Sequence, residues 1–138
     1  FHMELYEAAK NGDLELVKRL VEDGADINAK DDLGLTALMG ASGGNHLDVV
    51  KYLVENGVDT ETKDIEDLNS LIVASRLGYL DVVKLLVEGG ANIETTDYEG
   101  TTALMYASRL GYLGVVKFLV EKGANLEFAD EDGRIWSS

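Results

Sequence analysis

The sequence predicts an all-α solenoid, in which short helix-turn-helix units stack side by side and are joined by hairpin-like loops. Three observations predict it: a period of 33 residues, glycines at fixed places within that period, and an apolar stripe with helical spacing. The glycines one period apart are Gly24, Gly57, Gly90 and Gly123. A regular period of about 20–50 residues is typical of repeat proteins, whose units bury their apolar faces against their neighbours.

The period also divides the chain into units. We expect an N-terminal capping unit at 4–33, repeats at 34–66, 67–99 and 100–132, and a partial unit or tail at 133–138. Residues 1–3 contain the His-Met pair that a common cloning site leaves behind, so they are set aside. Residues 4–136 then form a single domain of stacked repeats.

Within a unit, Thr36 predicts the start of the first helix, because its hydroxyl can accept a hydrogen bond from an unpaired backbone amide. That helix is expected to end near Gly43. Asn45 then stands where the other units have glycine. Both residue types tolerate positive φ, so a tight turn is predicted there.

The second helix is expected from about Leu47 to Asn56, because apolar residues recur there at helical spacing. Gly57 closes it in the position after the C-cap. Residues 58–69 carry no helical period, and the matching segment at 31–34 consists of turn residues. A hairpin-like loop is therefore expected between units.

The whole pattern resembles the ankyrin repeat over residues 4–136. The first motif is D-x-x-G-x-T-A-L, at Asp31–Leu38 and Asp97–Leu104. The second is G-x-L-x-x-V-x-x-L-V-x-x-G, at Gly12–Gly24, Gly78–Gly90 and Gly111–Gly123. The resemblance implies a module that binds a protein partner. It also implies that hairpin tips and the exposed sides of first helices line a concave groove.

Carried over to this sequence, the resemblance predicts which residues bind the partner. These residues are Asp32, Leu33, Leu35, Ile65, Glu66, Leu68, Arg76, Leu77, Tyr98, Glu99, Thr101, Arg109 and Leu110, with a further tip at Glu131, Asp132 and Arg134. Several are apolar, and an exposed apolar strip with a charged rim is typical of an interface. The alternative is that Leu33, Ile65 and Tyr98 pack between adjacent hairpins and form no site.

The middle unit departs most from the pattern. Asp67 stands where Gly34 and Gly100 stand in the neighbouring units, at a place expected to need positive φ. A residue with a side chain is strained there by about 1 kcal/mol. The hairpin that contains Asp67 is therefore predicted to be the most distorted of the stack.

Composition and charge exclude several functional classes. The chain has 138 residues, no cysteine, and 26 acidic against 12 basic side chains, which gives a formal net charge of −14. Without cysteine, disulfides and thiolate metal sites are excluded, and so anionic a surface is expected to repel nucleic acid. The sequence contains neither a long apolar run nor a secretory signal. We therefore expect no membrane partner and an intracellular location, cytoplasmic or nuclear.

Catalytic and metal-binding motifs are not visible in the sequence, so we expect no enzymatic activity, no cofactor and no metal. His46 stands at the start of a second helix and is expected to be a structural or surface residue. The segment at 130–133 resembles a calcium loop only in part, since Phe128 stands at the place of the first ligand. Asn28 lies in a segment that resembles the asparaginyl hydroxylation sites of ankyrin proteins; the alternative is an ordinary turn residue.

The C-terminal end allows two interpretations. Ile135 and Trp136 either fold back as a lid over the last unit or begin a cap that is cut away. In the second case the exposed apolar end would favour self-association.

The origin of the chain also allows two interpretations. Ala74–Leu80 and Ala107–Leu113 have the same sequence, which favours an engineered scaffold whose property is folding or self-assembly. Asn45, Asp67 and Asn69 weigh against a strict consensus design, which would have replaced them. The engineered scaffold is therefore the alternative to a natural protein-binding module.

Overall fold

The computed structural model describes residues 2–126 and the backbone of residues 128–129 and 135–136, with side chains described over 4–126. The first helices of successive pairs are α1 (His2–Lys10), α3 (Ala37–Gly43), α5 (Ser70–Leu77) and α7 (Ala103–Leu110). The second helices are α2 (Leu14–Glu22), α4 (Leu47–Glu55), α6 (Leu80–Glu88) and α8 (Leu113–Glu121). Two short strands follow, β1 (Phe128–Ala129) and β2 (Ile135–Trp136). The predicted helical solenoid is confirmed.

The first helices α3, α5 and α7 begin at capped positions. The Thr36 hydroxyl oxygen accepts a hydrogen bond from the backbone N–H of Met39 at 3.3 Å, and Asn69 Oδ1 accepts one from Ile72 at 2.9 Å. Thr102 caps α7 in the same way. Such a cap satisfies a backbone N–H that the helix leaves without a partner, and it contributes about 1 kcal/mol. The helix start predicted at Thr36 is confirmed.

A residue with positive φ joins the two helices of each pair. Gly78 and Gly111 adopt φ values of 77° and 80°, and Asn45 adopts 58°. Asparagine enters this region more readily than most residues with a side chain. The prediction for Asn45 is therefore confirmed, and so is the end of the second helix, since α4 ends at Glu55 and Gly57 follows with φ 79°.

The core runs continuously from unit to unit and is not confined to any one of them. Leu53, Leu86 and Leu119 of successive second helices are fully buried. Among first helices α3 packs on α1 and α5, and among second helices α6 packs on α4 and α8. Burying one leucine side chain stabilises the fold by about 1.5–3 kcal/mol. Each unit therefore depends on its neighbours for its stability.

The two ends of the stack differ. In α2 the Val17 side chain is buried, whereas Arg19 is exposed where the other second helices carry a tyrosine, leucine or phenylalanine. This polar outer face is what an end unit needs for solubility. At the other end Leu113 is 77% exposed, although Leu80, one period earlier, is half-buried.

The C-terminal tail forms a short strand pair. Among the described residues, it is the only pairing of strands longer than a single bridge. β1 and β2 run antiparallel, with Phe128 opposite Trp136 and Ala129 opposite Ile135. The side chains of these four residues, and the predicted tip at 131–134, lie outside the described residues. The lid over the last unit stays a prediction. Within residues 2–126, every helix is too short and too polar to cross a lipid bilayer.

Neighbouring hairpins approach each other closely at Gly34. Its φ is +76°, and a Cβ atom added there would lie 2.9 Å from the Cα atom of Asp64 in the next hairpin. Gly57 has a similar φ of +79°, but a Cβ atom added to it would meet nothing within 4 Å. Substitutions at the two glycines therefore separate the free-energy cost of positive φ from the cost of the close approach between hairpins.

We predict that Gly34→Ala lowers the free energy of unfolding by about 2–4 kcal/mol, because overpacking against Asp64 adds to the strain of positive φ. The control Gly57→Ala should lose only the conformational part, about 1 kcal/mol. Urea unfolding monitored by circular dichroism measures both. Equal losses would show that the hairpins are not packed as closely as described.

Candidate protein interface

One aspartate holds the tip of each described hairpin in shape. Asp31 Oδ1 accepts hydrogen bonds from the backbone N–H groups of Leu33 and Leu35, both at 2.9 Å. Asp64 and Asp97 make the same pair of bonds one and two periods later, at 2.8–3.0 Å. A carboxylate that accepts two N–H groups fixes a short loop without help from a sheet.

Asp67 fits this loop without distorting it. Its φ is 64°, in the same region as Gly34 at 76°, and its N–H donates to the Asp64 carbonyl at 3.0 Å as Gly34 does to Asp31. Its carboxylate lies 3.4 Å from Lys63 Nζ. The expectation of positive φ at Asp67 is confirmed. The expected distortion is absent within the loop itself, because the bonds of the Asp64 loop are as short as those of its neighbours.

The hairpin tips expose large apolar side chains. Leu33 is 52% exposed, Ile65 68% and Tyr98 74%. These three side chains are therefore not buried between adjacent hairpins, and their role in binding a partner stays a prediction. Their acidic neighbours at the tips, Asp32, Glu66 and Glu99, are exposed as well.

Two predicted binding residues are not accessible. Leu68 and Thr101 are each only 5% exposed, and Leu35, in the same repeat position, is half-buried. This position closes the loop directly before the helix cap, and its carbonyl oxygen accepts from the N–H of the loop aspartate. The chain turns inward there. The prediction that Leu68 and Thr101 are accessible partner-binding residues of the tips is therefore wrong.

The first helices add exposed apolar and basic side chains to those of the tips. Leu77 and Leu110 are 41% and 52% exposed, and Arg76 and Arg109 precede them on the same exposed side of α5 and α7. The exposed apolar residues of tips and helices are called here the apolar strip. It consists of Leu33, Ile65, Leu77, Tyr98 and Leu110.

A polar network that the sequence did not reveal lies under the third tip. The Tyr106 hydroxyl donates a hydrogen bond of 2.6 Å to Oδ2 of Asp97, which is 5% exposed. The Arg76 guanidinium lies 5.9 Å from the centre of the Tyr106 ring, within cation–π range. Residues one and two periods before Tyr106 are Gly40 and Val73, so no shared residue type marks this position.

The network shifts two pKa values in opposite directions. Burial alone would raise the pKa of the Asp97 carboxyl, but the hydrogen bonds that it accepts outweigh burial. Its donors are Tyr106, Thr101 and Glu99, and with the nearby charge of Arg109 they lower the pKa of Asp97 below 3.8. Burial, followed by the bond to the Asp97 carboxylate, raises the pKa of Tyr106 above 10.0.

Two other predicted residues have structural contacts. Asn28 Oδ1 accepts from the backbone N–H of Asp59 at 2.8 Å, and Glu61 makes the equivalent bond to Asn92 one period later. Asn28 thus joins adjacent units, and its hydroxylation stays a prediction. His46 packs over Gly12, and its Nε2 lies 2.9 Å from the Lys10 carbonyl oxygen, as expected of a structural residue.

The described side chains contain no group of three or more histidine, aspartate or glutamate residues placed to hold a metal ion. A cavity of about 450 Å³ lies between the second helices α6 and α8, against Phe118 and Lys84, and so outside the groove of tips and first helices. The candidate site is therefore the exposed surface of tips and first helices.

The Tyr106→Phe variant tests the network through the pH dependence of stability. We predict a loss of about 1–2 kcal/mol at pH 7, because the variant lacks one hydrogen bond to a buried carboxylate. The lowered pKa of Asp97 contributes stability that is present above about pH 4 and is lost as pH falls through the folded-state pKa. The raised pKa of Tyr106 contributes stability that is lost as pH rises above 10.0.

The difference between wild type and Tyr106→Phe should therefore be largest between about pH 4 and pH 10, and smaller at both extremes. Urea unfolding at a series of pH values measures it. Tyr98→Phe is the control, because Tyr98 is 74% exposed and forms no side-chain hydrogen bond among the described residues. A difference that is flat across pH, or equal in the two variants, would contradict the assignment.

Comparison with known proteins identifies the family. The family model for ankyrin repeats in three copies matches residues 5–97 and 67–130, which together span most of the chain. A search of curated proteins finds no match. Ankyrin repeats are generally protein–protein interaction modules and are typically non-enzymatic. The chain belongs to the ankyrin repeat family.

Proposed function

We propose that this chain binds a protein partner through its concave groove, by shape and by burial of the apolar strip, without catalysing a reaction. The observation that supports it best is the exposure of the five apolar residues of the strip, each above 40%. Scattered exposed apolar residues are ordinary, but a set placed on adjacent tips and helices is costly unless a partner covers it.

Charged residues surround the apolar strip. Glu66 and Glu99 stand on the tip side, while Arg76 and Arg109 stand on the helix side. An apolar centre with a charged edge is the usual anatomy of an interface, in which the centre contributes most of the affinity and the edge selects the partner. The proposed site includes Asp32 and the partly accessible Leu35, and excludes Leu68 and Thr101 because they are buried.

The triple variant Leu33→Glu, Ile65→Glu and Tyr98→Glu tests the groove. Peptides of random sequence displayed on phage are first selected on the wild-type chain, and the affinities of the selected peptides are then measured. We predict that the triple variant weakens their binding at least about a hundredfold, because three exposed anchors are replaced by charges. Circular dichroism should show an unchanged fold, since all three positions are exposed.

The matched control is Leu47→Glu, Leu113→Glu and Val120→Glu. It adds the same three charges at exposed apolar positions of the second helices, outside the groove. We predict little change in affinity for the control. If peptides bind the groove variant as well as they bind the wild type, the proposed function is wrong.

A second candidate function is self-assembly, the property expected of a scaffold. It is favoured by the exposed apolar residues at the end of the stack, Leu113 at 77% and Val120 at 36%. Assembly through this end gives a molecular mass that rises with concentration for the wild type and for the groove variant. The mass of the control variant should instead stay that of a monomer.

A further inference from the structure

The junction between the second and third hairpin tips, at 64–68 and 97–101, differs from the junction between the first and second tips. In the earlier one, the Ile65 N–H donates a hydrogen bond of 3.0 Å to the Leu33 carbonyl oxygen, which ties two hairpin tips together. The equivalent bond would join the Tyr98 N–H to the Glu66 carbonyl. It is absent from the backbone bonds of the described residues. The second and third tips are therefore joined less tightly than the first and second.

The side chain of Asp67 explains this difference. At Gly34 the neighbouring hairpin comes so near that an added Cβ atom would lie 2.9 Å from Asp64 Cα. Asp67 occupies the same repeat position and carries a Cβ atom, so the third hairpin cannot approach the second to the same distance. Lys63 instead connects the two loops, through a bond of 2.7 Å from its Nζ to the Thr96 carbonyl oxygen.

A positioned cation lies beneath this more open junction. The Tyr106 ring is held by its hydrogen bond to the buried Asp97, and the Arg76 guanidinium lies over that ring. Arg76 is exposed, and the single ion pair among the described residues is the one between Lys63 and Asp67. The five N–H donors of the Arg76 guanidinium therefore have no carboxylate partner among the described residues.

We infer that Arg76 binds the side-chain carboxylate of an aspartate or glutamate in an extended partner segment that lies across the third and fourth units. This inference rests on the proposed function and names the chemistry of the partner. A guanidinium matches a carboxylate with two parallel hydrogen bonds, and stacking on an aromatic ring leaves its N–H edge free for that purpose.

Charge complementarity predicts the other residue types of the partner segment. An apolar residue next to the partner's carboxylate packs on Tyr98 and Leu110, which are 74% and 52% exposed. Glu66 and Glu99 stand on the tip side, and the chain has a net charge of −14. A uniformly acidic partner would be repelled, so the segment carries one carboxylate together with basic residues that face the tips.

Peptides from the phage selection, synthesised with amidated C-termini, test the inference. In binding measurements we expect Arg76→Gln to weaken a selected peptide at least about tenfold. Changing the peptide's own Glu or Asp to the amide should weaken it by a similar factor. The two changes together should cost no more than either alone, because they remove the same interaction.

Arg19→Gln is the matched control, since it removes the same charge on α2, outside the groove, and should change the affinity less than about twofold. The inference is overturned if Arg76→Gln behaves like Arg19→Gln, if the two changes are additive, or if binding requires a free C-terminal carboxylate. In those cases loss of binding in the groove variant would still support the proposed function. Binding that survives in the groove variant would overturn the proposed function itself.

Discussion

The contact between neighbouring units is the interaction on which the rest of the structure depends. A pair of helices of seven to nine residues cannot cover its own apolar side, and in this chain Leu53, Leu86 and Leu119 are fully buried in second helices that pack on those of neighbouring units. Close contact needs small side chains, which Ala41, Ala74 and Ala107 supply on successive first helices. It also needs a Cα atom without a side chain where hairpins meet, which Gly34 supplies.

Stacking also builds the candidate interface. Because the units repeat every 33 residues, equivalent tips lie side by side, and the same loop aspartate shapes each one. Within each tip the chain alternates between outward and inward positions, so Ile65 is exposed while Leu68 is buried. A regular scaffold therefore presents side chains that differ from unit to unit. The departures from regularity, Asp67 and Tyr106, both lie at the junction where we place the partner's carboxylate.

Much of this architecture could be predicted from the sequence, because periodicity, caps and glycines act locally. The cap at Thr36 and the positive φ at Asn45 follow from residue type and repeat position, whereas the exposed tips are what the resemblance to ankyrin repeats implies. The burial of Leu68 could not be predicted, because it depends on the direction of the chain as it leaves the loop. The bond from Tyr106 to Asp97 joins residues nine apart that share no motif, so only the folded chain shows it.

Amide hydrogen exchange of Leu86→Ala tests the central claim most directly. Leu86 is fully buried in α6, between α4 and α8, and its truncation should cost about 2–5 kcal/mol. If neighbouring units stabilise one another, protection should fall together in α4, α6 and α8, by about tenfold or more. Loss of protection confined to α6, with α4 and α8 exchanging as in the wild type, would contradict the account.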